Sequence, residues 1–76
     1  MKRHYTVYET CMNGHERVYN PVYRDFAGTA KAAFNHAVKA LGIEYSDIIR
    51  KAGNNWYIGC GYNPKYQQAV TYEIIG

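Results

Sequence analysis

The chain has 76 residues, a net charge of +3, nine tyrosines and only two cysteines. That length makes one domain, residues 1–76, with a small core that buries only ~60–65% of the surface of the unfolded chain. Two cysteines exclude a disulfide scaffold, and no stretch approaches the ~20 apolar residues of a membrane span. The basic residues are scattered, which permits a nucleic-acid partner without arguing for one. One bridge between Cys11 and Cys60 is open to the sequence, but two reduced, half-buried thiols are the expected state. With an N-terminus, MKRHYTVYE, that lacks the apolar core of a signal peptide, they point to a cytoplasmic protein.

Residues 3–12 alternate as a strand. Asn13-Gly14 follows, the dipeptide that favours a two-residue hairpin turn because glycine and asparagine tolerate positive φ. Residues 16–24 return as a second strand. Pro21 has no N–H for a ladder, so this strand is expected at an edge or with a bulge there.

The stretch Phe26 to Gly42 reads as a helix. Ala30, Ala33, Phe34, Ala37, Val38 and Leu41 recur at the i, i+3, i+4, i+7 spacing of one face. Lys31, Asn35, His36 and Lys39 fall on the other. Asp25 or Thr29 can cap the start, and Gly42 can end the helix in the left-handed conformation. Residues 43–53 are ambiguous: Ser46 could cap a short helix, or the segment could be a strand turning through Gly53-Asn54-Asn55. The turn-rich triplet between two β-branched or aromatic runs favours the strand. Residues 56–62 read as a strand, Asn63-Pro64 opens a loop, and residues 67–75 form the last strand.

The expected order is β-β-α-β-β-β, an α+β fold. One helix packs on one face of an antiparallel sheet of four to five strands. Alternation assigns Tyr5, Val7, Cys11, Val18, Val22, Trp56, Ile58, Cys60, Val70, Tyr72 and Ile74 to the helix side. It leaves Thr6, Tyr8, Arg17, Tyr19, Tyr23, Tyr57 and Thr71 on the open face. A one-residue bulge would flip part of this set.

No catalytic constellation emerges. Cys11 and Cys60 with His4, His15 and His36 supply the atoms for a thiol–imidazole pair, but at no spacing that marks one. Cys11 and His15 make half a zinc site without a second half. Glu9, Glu16 and Glu73 read as surface charges of strands. Gly59-Cys60-Gly61 lies in a strand, so it is not a phosphate cradle. Its glycines are expected to make room for a neighbouring tyrosine. No cofactor, metal or catalytic residue is therefore assigned.

The layout of Asp25, Ala30 to Ala33, Leu41-Gly42 and Gly53 to Trp56 places an alanine-rich helix between two hairpins. This layout resembles small accessory proteins of phages and mobile elements, anti-CRISPR proteins among them. The resemblance implies a stoichiometric, non-enzymatic inhibitor acting in the host cytoplasm on a protein or ribonucleoprotein complex. Relatives that mimic DNA are acidic and this chain is basic, so mimicry of DNA is not part of the expectation.

The expected binding residues are Tyr8, Arg17, Tyr19, Tyr23 and Tyr57, since Tyr and Arg are enriched among interface hot spots. The same face suits single-stranded nucleic acid, whose bases stack on tyrosines. It also suits a second copy of the chain.

Overall fold

A computed structural model describes all 76 residues, Met1–Gly76. The elements are β1 (Arg3–Asn13), β2 (Glu16–Ala27), α1 (Ala30–Leu41), β3 (Glu44–Gly53), β4 (Trp56–Asn63) and β5 (Gln68–Ile75). All five strands join one antiparallel sheet in the order β2-β1-β5-β4-β3. The helix covers one face, so the α+β class and the element order are as the sequence implies. The first and last strands are neighbours at the centre of the sheet. The ambiguous segment after Gly42 is a strand.

Two boundaries differ from the sequence reading. The first hairpin turns through Gly14-His15, because Asn13 still pairs with Glu16. Only Gly14 there takes positive φ, at 67°, the pattern of a turn with glycine first. The helix begins at Ala30 rather than near Phe26, because Phe26 and Ala27 remain laddered to His4 and Arg3. Thr29 is the cap, its Oγ1 accepting from the Ala32 N–H at 3.1 Å. Asp25 does not cap the helix. It accepts from His36 Nδ1 and, at 3.0 Å, from the Phe26 N–H, tying the end of β2 to the helix. Gly42 closes the helix at φ 70°.

The helix buries Ala30, Ala33, Phe34 and Ala37, with Val38 and Leu41 packed alongside. Beneath it lie Tyr5, Val7, Val70, Tyr72 and Ile74. The small residues of its stripe let the helix approach the sheet, and Phe34 meets the Tyr72 ring at 5.9 Å. On β4 the approach is closer still. A Cβ on Gly59 would stand 2.8 Å from Phe34 Cε2, and one on Gly61 would stand 2.3 Å from Ile43 Cγ2. These glycines admit Phe34 and Ile43, not a tyrosine.

Both edges are irregular. On β2, Val7 pairs with Tyr23 but Tyr8 pairs with Pro21, so Val22 is an extra residue; Pro21 brings both the edge and the bulge. On β3 the register shifts three times, and Tyr45 takes φ 54° and faces solvent. Edges broken in this way resist adding another strand.

Tyr72 is fully buried, and its hydroxyl accepts from Asn63 Nδ2 at 3.1 Å. Burial pushes its phenol above the ordinary 10.0, an effect the Asn63 donor partly offsets. The folded state therefore holds this proton longer than the unfolded chain does. The associated stability is complete below the unfolded value and is lost as pH rises through the folded one.

Two measurements check this packing. Phe34→Ala should destabilise by about 3–5 kcal/mol. Gly59→Ala should cost about 1–3 kcal/mol by overpacking, and the double variant should lose less than the sum because both changes act on one contact. Strict additivity in urea denaturation would contradict the assigned contact. For Tyr72, denaturation midpoints measured between about pH 9 and 11 should fall more steeply in the parent chain than in Tyr72→Phe. Equal slopes would count against the burial of that hydroxyl.

Candidate functional site

Cross-strand partners project from the same side of a sheet, so the pairing assigns the uncovered face. From β1 and β2 it carries His4 with Phe26, Thr6 with Arg24, Thr10 with Tyr19, and Met12 with Arg17. Tyr8 stands there opposite Pro21 on one side and Glu73 on the other. From β4 and β5 come Trp56 with Ile75, Ile58 with Glu73, and Cys60 with Thr71. Arg50 of β3 joins at Ile58.

Of the five residues expected here, Tyr8, Arg17 and Tyr19 are together on this face. Tyr23 and Tyr57 are not. The bulge at Val22 reverses the second half of β2, so Tyr23 pairs with Val7 and packs against the core. Tyr57 pairs with Ile74 under the helix layer, with Lys51 Nζ 5.9 Å from its ring centre. The parity of β4 is opposite to that inferred from hydrophobicity. Gly59 and Gly61 must face Phe34 and Ile43, and this turns Trp56, Ile58 and Cys60 outward. Cys11, expected to be half-buried, is exposed, and both cysteines are free.

Sequence reasoning missed the two residues at the centre of the face, Trp56 and Glu73. Glu73 reads as an ordinary strand-surface charge, yet it is only 1% exposed. No signal in its own strand marked it: its place opposite Tyr8 and one pair away from Trp56 follows only from the pairing of β5 with β1 and β4. Trp56 Nε1 donates to Glu73 Oε1 at 2.6 Å. Glu73 Oε2 is buried and accepts no hydrogen bond. Arg17 Nη1 lies 3.7 Å from it, near enough for attraction but too far for a hydrogen bond. A buried acceptor left in this state costs about 1–3 kcal/mol. Around it, Tyr8 and Tyr19 meet edge to face at 6.4 Å and 89°. Tyr8, Tyr19, Trp56 and Ile75 wall a bowl of about 390 Å³ with Glu73 in its lining.

A second concavity, about 520 Å³, lies at the fork where β1 and β5 part beyond Thr10 and Thr71. Thr10 Oγ1 donates to the Thr71 carbonyl at 3.0 Å where the pairing ends. Glu9 and Tyr66 line this fork. The Glu9 carboxylate, through a hydrogen bond and its charge, holds the Tyr66 phenol above its ordinary value.

No three His, Cys, Asp or Glu side chains gather as a metal-binding group. His36 is engaged with Asp25, and the His4 ring packs against Phe26 with centroids 4.6 Å apart, tilted by 46°. No helix is long and apolar enough to cross a membrane. The chain matches no family model, no curated protein and no solved structure.

Proposed function

We propose that this chain is a non-enzymatic binding protein whose uncovered sheet face engages a host protein or nucleoprotein complex. Its mode of action is that of the phage-type inhibitors its layout resembles. One observation carries the reading: Met12, Tyr19, Phe26 and Trp56, all exposed large side chains, share one face with exposed Arg17, Arg24 and Arg50. Aromatic residues, Met and Arg are the types enriched in interfaces. The molecule is a slab with extents of 37, 26 and 19 Å. Its broad side is commensurate with the ~800 Å² per partner of a standard interface.

The test is capture from host lysate, with and without nuclease, using the parent chain and single variants. Tyr19→Ala or Trp56→Ala should weaken binding by about 2 kcal/mol or more at one or both positions. Lys31→Ala, on the exposed side of the helix, should bind as the parent does. Equal capture by all variants would remove the face from consideration.

The three arginines beside exposed rings favour a second reading, a single-strand nucleic-acid binder. Its affinity for a labelled oligonucleotide should drop steeply between ~50 and ~200 mM salt. An absence of binding at the lower salt would eliminate it. A homodimer through the same face would appear as a concentration-dependent mass in sedimentation.

A further inference from the structure

We propose that the bowl formed by Tyr8, Tyr19 and Trp56 over Glu73 is a receptor for one lysine ammonium group presented by a protein partner. The inference rests on the binding-face reading and names the chemistry at its centre.

Four observations converge. Glu73 brings a carboxylate to a side of the sheet otherwise rich in arginine, yet its side chain is 1% exposed. Its Oε2 has no hydrogen-bond donor. The walls are aromatic, and ring faces attract cations. The bowl, at about 390 Å³, is within the size range of small-ligand sites.

The state of the two oxygens favours an ammonium. Trp56 Nε1 already donates to Oε1, so Oε2 is the oxygen that no donor reaches. A guanidinium binds carboxylates best through two parallel bonds, one to each oxygen, and here it would have to share Oε1 with the indole N–H. An ammonium is a compact charge that satisfies one acceptor while its remaining surface lies against rings. A quaternary ammonium gains the ring contacts but has no N–H to donate. Arg17, at 3.7 Å from Oε2 with half of its side chain exposed, neutralises Glu73 loosely and is displaced when lysine enters.

Trp56 is the only tryptophan, so its indole N–H resonance reports on this bowl alone. The experiment titrates the intact chain with Nα-acetyl-lysine methylamide, its neutral norleucine analogue and its trimethyl-lysine analogue. The lysine compound should produce a saturable shift of the Trp56 indole signal. The other two should bind weaker by about tenfold or more, the size of one good charge-assisted hydrogen bond. Glu73→Gln should lose a similar factor. Arg17→Ala should bind lysine several-fold tighter, because it removes the internal competitor.

Norleucine binding as well as lysine, or trimethyl-lysine binding better, would overturn the proposal. If Glu73→Gln does not fold, Tyr19→Ala takes its place, and unchanged lysine affinity in that variant would overturn the proposal equally. The two readings fail separately. A face whose Tyr19→Ala and Trp56→Ala variants lose the captured partner, but whose bowl ignores lysine, keeps its role and loses only this ligand.

Discussion

Phe34 pressed onto Gly59 is the contact on which the arrangement depends. A side chain at that glycine would collide with the ring, so Gly59 must face the helix if the helix is to sit as close as its alanine stripe allows. Alternation then leaves β4 no choice: Gly61 faces inward beneath Ile43, and Tyr57 flanks the core. Trp56 and Ile58 turn outward, even though Ile58 is the more hydrophobic choice for an interior. One aromatic–glycine fit thus determines which side chains the opposite face presents.

That constraint explains why the layout was legible and the site was not. Helical periodicity, the Thr29 and Gly42 caps and the turn residues are local signals, and they reported the element order and the helical stripe faithfully. The parity of β4 is a non-local property. A rule that buries Ile and Cys and exposes Gly fails where a missing side chain is itself the packing feature, filled by a ring from another element. Tyr23 was misplaced for a related reason. Pro21 announced an edge or a bulge, but an edge leaves parity intact and a bulge reverses it, and the structure has both. Tyr8, Arg17 and Tyr19 precede the bulge or lie on the regular central strand, so simple alternation places them correctly.

Glu73 illustrates a different limit. Its parity was legible, its burial was not. A carboxylate on the open side of a two-layer domain ordinarily stays hydrated. Here the Trp56 indole reaches Oε1, Arg17 Nη1 lies 3.7 Å from Oε2, and Tyr8 and Tyr19 line the same bowl. The residues that enclose Glu73 belong to β1, β2 and β4, and they meet only once the terminal strands are paired at the centre of the sheet. Burial of this kind is an outcome of topology, for which a single strand carries no pattern.

The two faces differ in how their buried polar groups are satisfied. Stability comes from the helix side, where the core cluster is contiguous and its polar groups, such as the Tyr72 hydroxyl, have partners. The open side holds the one buried polar side-chain atom without a hydrogen bond. In a domain of this size such an atom represents a sizeable part of the total stability. Replacing Glu73 by an apolar side chain of similar volume would remove that cost, and the Trp56 indole, exposed by about a third, can turn to water for its partner. Under the proposed lysine receptor, this acceptor would gain its missing donor on association: an ammonium reaching Oε2 would recover the loss only with the partner in place, and the cost carried by the free chain would then become part of the affinity.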